Sequence, residues 1–517
     1  QTLFLILFLY NFSSIFIKIS MRDLLLRNPI NNIKKINKIQ VAIYGAGSAG
    51  AQLAMSLQNS SKYKVSLFFD DNPLLNGRSL YGIPIISPEK SYLKNRKPEL
   101  VLLAIPSVKN SIKRKIIKSI NSKGLSIMQI PSIEEITSGK MNIDSMQPIE
   151  LEDLLSRESK LNVSEEAYSK IKGNSILITG AGGSIGSELC RMVLKLKPSN
   201  IILLDISETN LYHIHQELTN INSNGVITEI HPILGSALDE KLLKQLFLKY
   251  KVNIIFHSAA YKHVPLVEDN IVQGILNNVF ATKIVCKAAL ETGINQVVMI
   301  STDKAVRPTS AMGATKRLAE LVVKGFSDLS FESISFKKTN FSMVRFGNVL
   351  GSSGSVVPLF KNQISKGGPI TLTHKDVMRY FMTISEAAKL VIESSALSKG
   401  GELYLLDMGE PVRIKDMAEQ LIRLSGLRVK NKQNPDGDIE IVISGLRKGE
   451  KLYEELLIDS KSEATSNSLI FKAVEKDISK NYLFSNLEEL ENSINDRDQE
   501  SSIKILKRLV PEWNISK

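Results

Sequence analysis

Ser301-Thr302-Asp303-Lys304, followed by Met312 and Lys316, is the stretch of this 517-residue chain best equipped for chemistry. It comes directly after Gln296–Ile300, an apolar run that reads as a buried strand, and Lys316 falls in a helical pattern beyond it. Ligands of α/β sheets sit past the C-terminal ends of strands. A hydroxyl, a carboxylate and two amines would therefore converge there. Met312 can serve as neither acid nor base, so if a phenol is essential at its place the site is dead, and if not, acid and base duties fall on Asp303 and Lys304. The competing account is structural: a capped helix start carrying a surface ion pair.

Two glycine-rich turns supply the second signal. Ser175–Thr179 turns through Gly180-Ala-Gly-Gly183-Ser184-Ile185-Gly186 into a helix expected from Ser187, and the next strand, Asn200–Leu204, delivers Asp205. Glycines allow a sharp strand-to-helix turn whose free N–H groups face a pyrophosphate, while a carboxylate on the next strand accepts both ribose hydroxyls. Ile206, Ser207 and Glu208 follow Asp205 with no arginine among them, so NAD is expected over NADP. Val41 opens a similar unit with Gly45, Gly47 and Gly50, a helix through Gln58, and the strand Lys64–Phe69 ending at Asp70-Asp71. That turn reads either as a second nucleotide site or as a Rossmann-like domain with an empty or regulatory pocket.

The elements around these turns alternate short β-branched runs with longer helical stretches, the signature of parallel βαβ units. The expected fold class is therefore α/β, with two tandem Rossmann-like, doubly wound parallel-sheet domains. The first spans 41–138, a polar helical connector 139–172, the catalytic domain with a smaller C-terminal substrate-binding part 173–460, and a helical tail 461–517. At 43% hydrophobic and 23% charged residues the chain is globular, which rules out a disordered or collagen-like protein. The net charge of +13 is partly clustered: residues 1–40 hold Lys18, Arg22, Arg27, Lys34, Lys35 and Lys38 against Asp23 alone. They flank the apolar run Leu3–Ile17, so 1–20 is expected to be a truncated transmembrane helix and 21–40 a basic juxtamembrane linker on the cytoplasmic side. An interfacial anchor, or a start at Met21, are the other readings. Aromatic residues are not interleaved with these lysines, which argues against nucleic acid. Cys190 and Cys286 sit in apolar helical patterns as small buried hydrophobes, and the histidines show no metal-binding spacing, so no metal is expected.

Several further segments carry a resemblance: Thr179–Glu188, Ala259-Ala-Tyr-Lys-His-Val-Pro-Leu-Val-Glu268, Ser301–Lys316, Arg345-Phe-Gly-Asn-Val-Leu-Gly-Ser352, Met378-Arg-Tyr-Phe-Met382 and Arg447-Lys-Gly-Glu-Lys451. With them, residues 40–460 resemble the long, membrane-associated nucleoside-diphosphate-sugar 4,6-dehydratases of bacterial glycan synthesis, members of the extended short-chain dehydrogenase/reductase superfamily. Most of that superfamily has a tyrosine where Met312 stands. Methionine there is a feature of the long form. Gly235-Ser236 departs from the family, which has an aspartate near the adenine.

The resemblance implies C4 oxidation of a UDP-N-acetylglucosamine-type substrate by NAD, loss of water across C5–C6, and hydride return to C6. It assigns Thr302 to the C4 oxygen, Asp303 to the acid at the C6 hydroxyl, Lys304 to the C5 base and Lys316 to the nicotinamide ribose. Gly180, Gly183, Ser184, Ile185, Gly186, Asp205 and Ala259 would line the cofactor. Lys262, Asn348, Arg345, Arg379 and Glu450 would contact the nucleotide sugar, Arg345 and Arg379 by neutralising its diphosphate. A core-edge ion pair is the alternative for Arg345. It further implies a membrane-attached homo-oligomer. A C4 or C5 epimerase on the same scaffold and a non-catalytic NAD-binding regulator are the two other functions in view.

Overall fold

The computed structural model describes residues 38–58, 60–88, 98–106, 108, 110–122, 125–129, 147–148, 163–222, 228–332, 337–457, 461–475 and 478–514. The apolar run Leu3–Ile17, the basic segment 21–37 and most of the expected connector lie outside them. No described helix is long and apolar enough to cross a membrane. The chain divides into two compact units.

The first unit is a seven-stranded sheet made from β1 (Ile39–Tyr44), β2 (Tyr63–Phe69), β3 (Ser79–Leu80), β4 (Ile83–Ile86), β5 (Leu100–Leu103), β6 (Ser126–Gln129) and β7 (Gln147–Pro148), in the order β3-β4-β2-β1-β5-β6-β7. Its central strands read Val41-Ala-Ile-Tyr44 and Leu100-Val-Leu-Leu103, and all eight residues are buried. Continuous burial of that kind marks a parallel strand covered on both faces. Helix Ser48–Leu57 buries Gly50, Leu53, Ala54 and Leu57 on one side. The chain leaves β1 toward β2 and returns on its other side at β5, so the order reverses between β1 and β5.

The second unit holds β8 (Ser175–Thr179), β9 (Asn200–Asp205), β10 (Glu229–Leu234), β11 (Ile254–His257), β12 (Gln296–Ile300), β13 (Asn340–Arg345), β14 (Asn348–Val349), β15 (Ile370–Leu372), β16 (Met378–Arg379), β17 (Phe381–Met382), β18 (Glu402–Leu406), β19 (Val412–Arg413), β20 (Val429–Lys430), β21 (Ile439–Ile443), β22 (Ser462–Ala464) and β23 (Ile470–Ala473). Nine of these form the main sheet in the order β10-β9-β8-β11-β12-β13-β18-β23-β22. Seven are parallel, and β23 and β22 close the edge antiparallel. The switch in direction falls between β8 and β11, where a ligand cleft is expected. Small pairs, β14 with β17 and β16 with β19, stand apart from the main sheet. Cys190 and Cys286 are free and buried in the two cores flanking this sheet.

Three boundaries differ from the sequence reading. The helix after the second glycine turn begins at Ser184, one turn before Ser187, because Gly183 serves as its N-cap. Residues from 163 on belong to the second unit: Ser164 caps helix Glu165–Ile171, binds Glu393 through its N–H and hydroxyl, and sets Ala167 and Ile171 in the core. The tail is not only helical. β22 and β23 extend the catalytic sheet, and helices Lys480–Asn495 and Gln499–Leu509 bury Leu487, Leu490, Leu506 and Leu509 in its core. The second unit therefore continues past 460 to the end of the described chain.

Candidate active site

At the switch between β8 and β11 the absence of side chains makes the room. Gly180 has φ +65, and a Cβ there would stand 2.9 Å from the backbone of Ala259. A Cβ on Gly186 would stand 2.0 Å from the Gly180 carbonyl, so the helix can press its first turn against the loop only with glycine at that place. Gly183 offers no side chain to bond the first-turn N–H groups, which leaves them for an anion. Asp205 closes this cradle. One carboxylate oxygen accepts from Gly182 N at 2.8 Å and the other from Ser207 N at 2.8 Å, which fixes the group while leaving lone pairs for two hydroxyls. Ala259, expected at the cofactor, is not among the cavity walls, although its neighbours Ser258 and Ala260 are, and its N–H donates to Thr179 Oγ1 at 3.3 Å. Where the resembled family has an aspartate, Gly235 packs so closely under Leu242 that a Cβ would stand 2.4 Å from Leu242 Cδ2. The nearby Asp239 is committed to capping helix Glu240–Lys249.

The cradle opens into a cavity of about 830 Å³ whose walls include Gly180, Gly183, Ser184, Ile185, Gly186, Lys262, Thr302, Lys304, Met312, Lys316 and Asn348. A short 3₁₀ turn, Asp303–Ala305, follows β12, with Thr302 as its cap. Thr302 Oγ1 donates to Asp303 Oδ1 at 2.9 Å, and Lys304 Nζ donates to the same oxygen at 3.0 Å and to Asn348 Oδ1 at 3.1 Å. Asn348, expected to bind phosphate or sugar, thus holds the candidate base. Asp303 is fully buried, and its Oδ2 has no hydrogen-bond partner among the described residues. A Cβ on Gly347 would come 3.1 Å from that oxygen and 3.3 Å from Met408 Cε, so glycine at 347 keeps the acid uncrowded.

Helix Ala311–Glu332 brings Met312 and Lys316 to the same wall, both buried. Lys316 Nζ donates to Ile300 O at 2.8 Å, and burial lowers its ammonium to about 8 against the opposing pull of Glu320. Burial also pulls down the Lys304 ammonium, but Asp303 and Glu454 outweigh it and hold the group above its ordinary value. In the free site Lys304 is therefore an ammonium. Lys262 is exposed to the cavity, yet desolvation by the walls and the charge of Lys304 hold it below the usual lysine value.

Arg345 is the clear correction. It is 0% exposed, with its guanidinium between Glu320 (Nε to Oε1 2.7 Å, NH2 to Oε2 2.6 Å) and Glu475 (NH1 to Oε1 2.5 Å, NH2 to Oε2 3.1 Å). Arg317 joins them through Glu320, Glu475 and Glu512, and Ser301 donates to Glu320 Oε1 at 2.6 Å. Four of the five Arg345 N–H groups are thus committed to carboxylates, and the residue does not line the cavity, so it is not placed to meet a diphosphate there. Arg379 and Glu450, also expected to contact substrate separately, are instead partners at 3.4 Å, and Arg379 NH1 further bonds the carbonyls of Met378 and Leu452. The residue missed in the sequence is Glu454, which is buried beside Arg379, Asp303 and Lys304. Its only signal there was its nearness to Arg447–Lys451.

The first unit repeats the cradle. Asp70 at the end of β2 accepts from Ala46 N and Asn72 N, each at 2.8 Å, as Asp205 does from Gly182 and Ser207. A Cβ on Gly50 would stand 1.9 Å from Gly45 O, matching Gly186 over Gly180. Gly47 is the N-cap of the following helix and has no side chain to bond it.

Comparison with known proteins agrees with this geometry. A family described as polysaccharide biosynthesis protein matches residues 176–475. The chain is 40% identical over 430 residues to the capsular polysaccharide biosynthesis protein CapD of Staphylococcus aureus, covering 82% of this chain and 69% of that one. It is 30% identical over 336 residues to a UDP-N-acetylglucosamine 4,6-dehydratase (inverting) of Campylobacter jejuni, covering 64% and 87%. Among solved structures, Pen from Bacillus thuringiensis matches with TM-score 0.52 and 31% identity over 62% of this chain and 98% of that one.

Proposed function

We propose, from the premise that this chain belongs to the polysaccharide biosynthesis protein family, that it is a nucleotide-sugar 4,6-dehydratase acting on UDP-N-acetylglucosamine or a close relative. The observation that carries this reading is the Asp303–Lys304 pair, joined at 3.0 Å just past the end of β12, with Lys304 in the cavity wall, Asp303 buried behind it, and Met312 in the wall where a phenol would serve an ordinary reductase. A reductase or a regulator needs no acid and base in tandem. An elimination needs both, one to take the proton from C5 and one to protonate the departing C6 oxygen.

The cradle fits a dinucleotide, since the missing Cβ atoms of Gly180 and Gly186 leave space at a helix N-terminus and Asp205 presents a fixed carboxylate. Gly180, Gly183, Ser184, Ile185, Gly186 and Asp205 would hold NAD, and Lys316 its nicotinamide ribose. When bound, NAD supplies a hydride acceptor for C4 and, once reduced, a donor for C6. Thr302 orients the C4 oxygen. Asp303 accepts the C4 hydroxyl proton as that carbon is oxidised and returns it to the C6 oxygen as it leaves, so the carboxylate paired with Lys304 is restored. Lys304, freed of its proton, abstracts the C5 hydrogen made acidic by the C4 ketone. Asn348 keeps its nitrogen on that side of the cavity.

The test is incubation with UDP-N-acetylglucosamine, read by mass for the loss of one water. A C4-deuterated substrate is expected to give product labelled at C6. A product of unchanged mass would establish an epimerase instead, and no turnover in the loaded protein would refute an enzyme of this class. Membrane attachment through residues 1–40 belongs to the same proposal, supported by their net positive charge. Co-sedimentation with anionic vesicles that survives deletion of 1–40 would refute it.

A further inference from the structure

Glu454 sits in the segment that locks down the loop after Lys304. Lys451 Nζ donates to Val306 O at 2.7 Å, Thr309 Oγ1 donates to Gly449 O at 2.8 Å, and Arg307 pairs with Glu455 at 3.0 Å. These contacts fix the chain on both sides of Glu454 against residues 306–309, which lead from Lys304 to helix Ala311–Glu332. The Glu454 side chain is 4% exposed. Its Oε1 lies 3.8 Å from Arg379 Nε, beyond hydrogen-bond range, and its Oε2 has no hydrogen-bond partner among the described residues. A buried carboxyl left this free of hydrogen bonds is costly as an anion and comfortable as an acid.

The charges facing it come from three places: Asp303 and Lys304 in the turn after β12, Arg379 in β16, and Lys451 in its own segment. Burial pushes the carboxyl up. Lys304, Arg379 and Lys451 pull against that and Asp303 adds to it, so the group stands above the ordinary glutamate value. Lys304 in turn is held as an ammonium partly by Glu454.

We propose that Glu454 is a positioning residue for the base step, whose buried carboxyl, held beside Asp303 and Lys304, decides whether Lys304 stands as ammonium or amine. The inference rests on the dehydratase reading, which needs Lys304 as a neutral base. A proton lost by the Lys304 ammonium and gained by the Glu454 carboxylate turns an ion pair into an amine and a neutral acid. The net charge of the site is unchanged, and no proton has to reach solvent through the filled cavity.

The test compares the full-length protein with Glu454→Gln, a fixed mimic of the neutral acid, and Glu454→Asp, which keeps the ionisable group. Two profiles are read against pH: the rate of water loss from UDP-N-acetylglucosamine, and acetylation of Lys304 by acetic anhydride without substrate, followed by peptide mass spectrometry. In Glu454→Gln, loss of the anion should make Lys304 an amine sooner. Both acid-side limbs should move to lower pH by about one unit, a tenfold change in proton concentration. Glu454→Asp should return them toward the parent. Limbs that stay in place in Glu454→Gln, with only a pH-independent fall in rate or melting temperature, would show a merely structural role and overturn the proposal. If the parent makes no product, the dehydratase reading falls, and the acetylation profile still decides the role of Glu454.

Discussion

Glu475→Gln tests the reassignment of Arg345 most directly. The Glu475 carboxylate is 9% exposed and lies 2.5 Å from Arg345 NH1 and 2.8 Å from Arg317 NH1. An amide keeps the shape and removes the charge, so two buried guanidinium groups would share Glu320, with Glu512 reaching Arg317 alone. Leaving a buried charge short of its partner costs about 3–5 kcal/mol. At roughly 2–4 °C per kcal/mol for a large domain, the melting temperature should fall by about 10 °C. The control is Glu463→Gln on the neighbouring strand β22, where the carboxylate is 62% exposed and 3.8 Å from Lys472. Such surface pairs contribute about 0–1 kcal/mol, so little change is expected. Calorimetry gives the first quantity and steady-state turnover the second, with KM for the nucleotide sugar near the parent value in both variants. An unchanged melting temperature together with a tenfold higher KM in Glu475→Gln would refute the reasoning and return Arg345 to the substrate.

Further outcomes follow from the same geometry. Lys304→Ala and Asp303→Asn should each lower turnover by about 10²–10⁴-fold with a near-parental melting temperature, as loss of a general base or acid does, and a parental rate in either would remove that role. Lys316 has a folded value of about 8 against 10.5 in the unfolded chain. Its proton is therefore lost first from the folded state, so this group adds stability as the pH rises from 8 to 10.5, while the positive charge offered to the cofactor disappears. Affinity for NAD, followed by calorimetric titration, should weaken above pH 8, and Lys316→Arg should abolish that weakening. Burial raises the Glu320 carboxyl, but Arg345 and Arg317 hold it below the usual range. Its stabilising share is complete above the ordinary value of 4.5 and is lost as the pH falls through the lower folded value, so Glu320→Gln should flatten the acid limb of the stability curve. Gly347→Ala should crowd Asp303 Oδ2 at 3.1 Å and reduce turnover more than stability, read as rate against melting temperature.

Much of the site was legible because it is local. Thr302, Asp303 and Lys304 are consecutive, and Met312 and Lys316 are one helical turn apart on the next helix, so a strand end plus a helix register suffices to bring them together. The glycine turns were legible for the same reason. Arg345 was misread because a strand-end arginine beside a family motif looks the same whether it points at a ligand or at Glu320 and Glu475, and the latter lies 130 residues away. A signal was available in Leu318-Ala-Glu320-Leu-Val-Val323: an acid inside an apolar helical run must find a buried cation. The strands at Ser462–Ala464 and Ile470–Ala473 were missed because three- and four-residue runs carry too little alternation to register. Glu454 depends on tertiary placement alone.

The arginine network also has a consequence for how the molecule is made. Arg317 and Arg345 lie in helix Ala311–Glu332 and β13, yet two of their three counter-charges, Glu475 and Glu512, are translated 130 residues after Arg345 and 195 after Arg317. Until the ribosome has released that later part of the chain, β18 lacks its neighbour β23 and the cations beneath Ser301 face an unfilled interior. A nascent chain of this protein can assemble its glycine cradle but cannot settle the strand end that carries Thr302, Asp303 and Lys304. Ribosomes stalled short of Glu512 should therefore display a protease-sensitive edge. Messages cut short there should yield aggregated polypeptide and no weakly active fragment.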